Sequence, residues 1–462
     1  MRKSIIGVVA ALSFTMPAFA QDRETAETMQ AYAAGYKAAF TCSALFNAGK
    51  KLEQLVDHEF HGIYPVFREY FDVLPAAVVD AENKQVSVRY NDTMPPRISQ
   101  WREGLGCAQL PTGATGADAV HLPRVTISRP NTSDDQPWKK LNSGDDGLKE
   151  LLKRAMTDTR YGKDARTTAM LVANTDELLA ELYTDGYTHK TSQRTWSVAK
   201  SIAATVIGAA VQDGLLDVKE PAPIAEWQSP IDPRKKITLE NLLQMSSGLD
   251  SNAAGNRTDR LYAGGGRVSD GATEHALEAV PGTRWKYANN DTLLAVRGLK
   301  NRFETTTSYN EYPFTALLNK LGMNDTYLET DWEGNFILSS QVWTTSRDLA
   351  RIGVLYLNDG VWNGERLLPE GWAQYVAAPT GPQPDERNAN GPIPGYGAQF
   401  WLYNERFPTI PNDTFAARGN RGQFLVIVPS RNIVMVRRGY DPAGGEGFKL
   451  DLFIEDVLKA IS

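Results

Sequence analysis

The chain holds two cysteines and five histidines in 462 residues, no dense run of Lys and Arg, and no apolar stretch near the roughly 20 residues that span a bilayer. Each absence excludes something. Lys and Arg total 49 against 55 Asp and Glu, a formal charge of −6, so nucleic acid is not an expected partner. The longest apolar candidate, Ser201 to Val211, is bounded by Lys200 and Gln212, and no membrane span is expected in the mature chain. Gly-x-Ser-x-Gly is absent and no histidine sits in a context that marks a Ser-His-Asp triad, so a serine hydrolase here would need another base. Gly264-Gly-Gly266 lacks the Lys-Ser/Thr ending of a phosphate loop and reads as a flexible rim. His58-Glu-Phe-His61 spaces its histidines three apart, where zinc proteases use four, and reads as an exposed polar helix end. No metal or cofactor is expected.

What is present is ordinary globular composition, 42% apolar and 23% charged, in a length that allows two or three domains and a core needing no staples. Arg2 and Lys3, the apolar run Ile5 to Phe14 and the small-x-small site Ala18-Phe19-Ala20 read as a signal peptide of residues 1–20, whose removal takes the charge from −6 to −8. A secreted or periplasmic protein is expected, in which an oxidising compartment pairs Cys42 with Cys107. Residues 24–61 read as helical, followed by short strands to about 128, and the Pro-, Asn- and Asp-rich stretch 129–146 as a linker. A boundary near 135 divides an N-terminal α+β region, 21–135, from a second region, 136–462.

That second region opens on a hairpin, Thr168–Ala173 and Leu178–Tyr183, and closes on another, Phe424–Val428 and Ile433–Val436. Helical patterns lie between: Ser201–Asp213, Leu239–Met245, Asn310–Leu321 and Thr345–Asn358. Strands from both ends around a helical middle predict one antiparallel sheet with a helical insertion. Segments 250–271 and 378–397, rich in Gly, Pro and polar residues, read as lids, binding loops or disordered stretches.

Chemistry concentrates at Trp196-Ser197-Val-Ala-Lys200, which runs directly into an apolar helix. Residues three apart share a helix face, so the Ser197 hydroxyl and the Lys200 amine can meet. Burial of that helix disfavours the ammonium and readies Lys200 to accept a proton, while the helix start offers backbone N–H groups to an oxyanion. Ser-x-x-Lys alone arises by chance about once in a chain this long, and two further segments raise its weight. Tyr287-Ala-Asn289 supplies a phenol for proton relay and an amide to hold Lys200 or a substrate carbonyl. Ala417-Arg-Gly419-Asn-Arg-Gly422-Gln423 precedes the closing hairpin, where glycine lets backbone approach a substrate.

With these motifs in this order the chain resembles the penicillin-recognising serine hydrolases, in particular the class C β-lactamase-like branch that includes esterases and nylon-oligomer (aminohexanoate-dimer) hydrolases. The likeness extends to Asp232-Pro-Arg-Lys-Lys-Ile-Thr-Leu, Leu243-Gln-Met-Ser-Ser-Gly-Leu-Asp250, Leu355-Tyr-Leu-Asn-Asp-Gly360 and Tyr396-Gly-Ala-Gln-Phe-Trp401, covering roughly 140–462. The resemblance implies an α+β fold of β-lactamase/transpeptidase type, with Ser197 as acylated nucleophile, Lys200 as proton acceptor, Tyr287 sharing that role and Asn289 orienting Lys200. It implies an oxyanion hole from the Ser197 N–H and one near Gly419 and Asn420, and a small ester, amide or peptide as substrate.

The third motif departs from the lactamase pattern, since Ala417 and Arg418 stand where Lys and Thr would be. β-Lactam hydrolysis is therefore not expected, with Arg418 predicted on the opposite strand face and Arg421 the first candidate for a replacement cation. Two other readings are a D-peptide or cell-wall-stem peptidase, and a ligand-binding or sensor homologue that does not turn over.

Overall fold

Near-continuous apolar runs suit strands buried on both faces, and the two predicted hairpins form the centre of such a sheet in the computed structural model, which describes residues 25–63, 65–129, 135–251, 259–388 and 391–461. The sheet has eight strands: β5 (Lys140–Leu141), β6 (Thr167–Ala173), β7 (Glu177–Tyr183), β8 (Gly395–Tyr396), β9 (Trp401–Tyr403), β10 (Thr414–Gly419), β11 (Gln423–Val428) and β12 (Ile433–Gly439). Their order is β8-β9-β10-β11-β12-β6-β7-β5. The first and last hairpins join where β12 pairs antiparallel with β6, Val436 opposite Leu171. One edge differs from the expected all-antiparallel sheet. Lys140–Leu141, inside the stretch read as linker, runs parallel to β7. A two-residue polar strand carries no periodicity, and its position is set by neighbours such as the buried Trp138.

Both faces are covered, and alternation along each strand decides which residue faces which layer. Leu171, Leu425, Val434 and Val436 pack into one cluster with α3 (Val198–Gln212) and α5 (Ser346–Leu357). Met170, Val172, Val426 and Met435 pack into the other, with α2 (Asp146–Thr157) and α6 (Leu450–Ala460). Between sheet halves lies the helical middle, including α4 (Asn289–Lys300). The predicted helix at 310–321 is interrupted: it passes at Pro313, which lacks an N–H, into a π-turn over Phe314–Leu318.

The N-terminal region forms its own layer. Helix α1 (Ala26–Phe46) ends at Asn47, and a short helix, Leu52–Asp57, follows, so the helical reading of 24–61 holds with a break at 47–51. A further short helix, Pro65–Phe71, occupies residues expected to be strand. Strands β1 (Val78–Asp80), β2 (Gln85–Val88), β3 (Arg97–Arg102) and β4 (Gly106–Gln109) make an antiparallel sheet against α1. Cys42 of α1 is disulfide-bonded to Cys107 of β4. On its other side α1 meets the insertion, and closely: a Cβ at Gly35 would lie 2.0 Å from the Ala263 carbonyl oxygen.

Two expectations are corrected here. Gly264-Gly-Gly266 is a packed junction and not a flexible rim, because the Gly265 carbonyl accepts from Trp332 Nε1 at 3.0 Å and a Cβ on Gly265 would meet the Leu110 carbonyl at 2.3 Å. His58 is not an exposed helix end; it is half-buried, with Nδ1 3.0 Å from the Tyr187 hydroxyl and its ring stacked on Tyr440. Among the described residues no helix is long and apolar enough to cross a membrane. The expected signal peptide, 1–20, lies outside the described residues.

Candidate active site

Ser197 is the N-cap of α3, reached through a backbone elbow in which Trp196 takes φ +49°, a left-handed conformation that a bulky residue rarely adopts. The surroundings hold Trp196 there: the Arg194 guanidinium lies 3.7 Å over its ring and 4.4 Å over that of Phe40. The elbow starts the helix with a partly exposed Ser197, and the first turn carries Lys200 to the same face.

Lys200 is 1% exposed, and its Nζ has three polar neighbours: Asn289 Oδ1 at 2.6 Å, the Ser339 carbonyl at 2.7 Å and Ser197 Oγ at 3.2 Å. No carboxylate offsets the burial, which pulls its pKa from 10.5 down to about 7. A neutral amine has two N–H donors and one lone pair. With the donors given to the two close acceptors, the lone pair is left for Ser197 Oγ, the arrangement a general base requires.

The Tyr287 ring lies 5.1 Å from Lys200 Nζ, and the Ser197 side chain is near enough to the phenol to lower its pKa against the effect of burial. Burial pushes the Tyr287 pKa up, so the phenol is protonated at neutral pH and able to donate a proton. Trp401 packs 5.5 Å from Tyr287, ring to ring, and Trp285 and Tyr396 complete the aromatic group. Asn289, at the first position of α4, accepts from Lys200 Nζ through its Oδ1.

The strand end of β10 closes the site. A Cβ on Gly419 would lie 2.3 Å from the Thr195 carbonyl and 3.2 Å from Ser197 N, so glycine is required for this approach. The Ser197 N–H makes no hydrogen bond to the described residues, and Asn420 opens the adjoining turn, its Oδ1 accepting from Arg421 N at 2.9 Å. Ser197, Lys200, Tyr287, Asn289, Gly419 and Asn420 are thus brought together, while the Cys42–Cys107 bond lies in the N-terminal layer.

The two arginines of the third motif are placed in different surroundings. Arg418 does sit across the sheet from Ala417, pairing with Phe424 while Ala417 is buried under α3. That face is not remote, however: its guanidinium lies 5.9 Å from the Trp401 ring, and its charge lowers the Tyr287 pKa slightly against the effect of burial. Arg421, the first candidate should any cation replace the missing lysine, is engaged elsewhere, donating to the carbonyls of Glu59, His61 and Asp441.

Sequence reasoning missed the Ser339 carbonyl and Tyr262, whose hydroxyl is 2.6 Å from Ser339 Oγ. A backbone acceptor has no residue signature. Tyr262 stood only within a segment read as a binding loop.

The chain is similar to proteins of one family. The model of the family described as Beta-lactamase matches residues 149–437. A 6-aminohexanoate-dimer hydrolase from Paenarthrobacter ureafaciens is 27% identical over 345 residues, 68% of this chain and 82% of that one. Among solved structures, a penicillin-binding protein homologue from Caulobacter crescentus superposes with a TM-score of 0.55 at 14% identity, over 69% of this chain and 98% of that one. A family VIII carboxylesterase superposes with a TM-score of 0.51 at 13% identity, over 69% and 98%. At these identities the two structures speak to the fold alone.

Proposed function

The chain belongs to the beta-lactamase family of serine hydrolases, and we propose that it cleaves small esters or amides through an acyl-enzyme on Ser197. The carrying observation is the buried Lys200 amine, whose two short donor contacts leave its lone pair facing Ser197 Oγ. In acylation, Lys200 takes the Ser197 proton as Oγ attacks the carbonyl carbon. The tetrahedral oxyanion lies against the N–H groups of Ser197 and Asn420, where a preorganised donor contributes most. Tyr287 passes a proton to the leaving alcohol or amine, and the same groups in reverse deprotonate the water that frees the acid. The 6-aminohexanoate-dimer hydrolase relative supports a linear amide among the substrates.

Intact-mass analysis after a fluorophosphonate probe tests the proposal: wild type gains one adduct and Ser197→Ala gains none. A Ser197→Ala protein that still takes up the probe at one site would overturn the nucleophile. Turnover of a chromogenic ester then distinguishes an enzyme from a binding homologue that acylates and stops, and a D-peptide panel checks the peptidase reading. The exported location is part of the same proposal, and N-terminal sequencing of the secreted protein, expected to begin at Gln21, checks it.

A further inference from the structure

Residues 26–121 lie outside the segment that matches the family, 149–437, yet they touch both backbone elements that flank Ser197. On one side Phe40 of α1 packs 6.1 Å from the Trp196 ring, ring to ring, with Arg194 against both. On the other, the turn after Gly419 reaches back to the segment 59–61 through a single side chain, Arg421.

The turn is an unusual place for an arginine. Arg421 has φ +59° and Gly422 φ +74°, so two successive residues are left-handed. Gly or Asn occupies such positions at lower cost than a long side chain. The guanidinium accounts for the arginine. It is buried, with the residue 5% exposed, and makes no ion pair among the described residues. Nη1 donates to the Glu59 carbonyl at 3.3 Å, Nη2 to the His61 carbonyl, and Nε toward the Asp441 carbonyl at 3.4 Å.

The acceptors are themselves fixed. Glu59 Oε1 accepts from Lys50 Nζ and from the Tyr440 hydroxyl, each at 2.7 Å, and the Lys50–Glu59 pair is 2% and 1% exposed. One planar fork therefore joins the turn to a locked segment of the N-terminal layer and to residue 441 beyond β12.

We propose that Arg421 is a positioning residue: by tying the turn to the Glu59 and His61 carbonyls it holds the turn that follows Gly419 in place, and through it the Gly419–Asn420 peptide, whose Asn420 N–H it so keeps aimed at the oxyanion. The N-terminal layer is then part of the catalytic apparatus, as the fixed point against which one oxyanion donor is held. This rests on the reading of Ser197 as the acylated nucleophile. Removing an oxyanion donor outright costs about 10²–10³ in kcat, so tilting one should cost about 10–100-fold.

The experiment compares wild type with Arg421→Ala and Arg421→Lys on a nitrophenyl ester, with kcat expressed per site titrated by the fluorophosphonate probe. Arg421→Ala should lose about 10–100-fold in kcat with KM within about threefold. Its affinity for an arylboronic acid, which forms a tetrahedral adduct, should fall in parallel, and the pH midpoint set by Lys200 should not move. Arg421→Lys, which can reach one carbonyl, should recover part of the loss. A purely structural role would lower Tm and the number of titrated sites while leaving kcat per site and boronate affinity intact, and that result overturns the proposal. If Arg421→Ala does not fold, Arg421→Lys decides: full kcat per site and unchanged boronate affinity overturn it equally. Absence of labelling in wild type would instead strike at the Ser197 reading.

Discussion

Lys200 is charged or neutral according to one microscopic balance, and the pH dependence of the reaction follows from it. With the neutral amine as the proposed base, acylation should rise with pH through about 7, the value to which burial brings this group, and at pH 5 should be about a hundredfold lower. A kcat/KM profile flat between pH 5 and 8 would contradict this. The same group leaves a thermodynamic mark. Its folded pKa lies below its ordinary 10.5, so between about 7 and 10.5 the unfolded chain binds a proton that the folded chain lacks. Wild-type stability therefore rises with pH across that window relative to Lys200→Met, whose lead in urea unfolding should shrink as pH increases. At Tyr287 the prediction is kinetic. Tyr287→Phe keeps the ring against Trp401 but removes the proton carrier, and turnover should fall by at least about a hundredfold with little change in KM. Gly419→Ala acts through sterics, since its Cβ would meet the Thr195 carbonyl at 2.3 Å and push the strand end from the Ser197 N–H. Loss of turnover with a folded circular-dichroism spectrum is expected, and normal turnover would mean that the strand end does not serve the oxyanion.

Among the elements, those whose residues are adjacent in sequence were legible and those built from distant pairings were not. Ser197 and Lys200 meet because a helix brings i and i+3 together, and the hairpins β6–β7 and β11–β12 showed in their apolar runs. Tyr287 and Asn289 were legible as a motif, and the turn beside Ser197 as glycines ahead of a strand. By contrast β5 is too short for periodicity, and Arg418 comes near Tyr287 only because β9 places Trp401 across from Ala416, two residues along the same strand face. The packing of α1 on Trp196 had no local sign either, since Ala-rich residues with Tyr36 and Phe40 describe a buried helix without saying against what. The disulfide belongs to this scale. It ties α1 to β4 across a sequence separation of 65 residues, for which the chain-entropy model gives about 4 kcal/mol as an upper figure. The Cys42→Ala/Cys107→Ala double variant should lower Tm and loosen hydrogen exchange first in α1 and β4. Non-reducing peptide mapping that returns two free thiols would remove the premise.

For the molecule as a whole, substrate choice depends on what charge the cleft and its surroundings present. With 55 acidic against 49 basic residues the chain gives an anionic substrate no long-range attraction. Within the site, the position that carries an ammonium in lactamase relatives is Ala417, buried under α3, and Arg421 is turned to the N-terminal layer. The resemblance implies that this ammonium would hold the ring carboxylate of a β-lactam, and losing such a charge-assisted contact amounts to about 1.5–3 kcal/mol, roughly ten- to a hundredfold in transition-state binding. Short neutral esters and linear amides make no such contact and lose nothing. The protein should therefore turn over nitrophenyl esters measurably and nitrocefin poorly. Efficient nitrocefin hydrolysis would overturn that selectivity, and the geometry then names a source besides Lys200: Arg418, whose guanidinium lies 5.9 Å from the Trp401 ring and makes no ion pair among the described residues. In that event Arg418→Ala should remove the nitrocefin activity and spare the ester, whereas Arg421→Ala, acting on the oxyanion, should depress both alike.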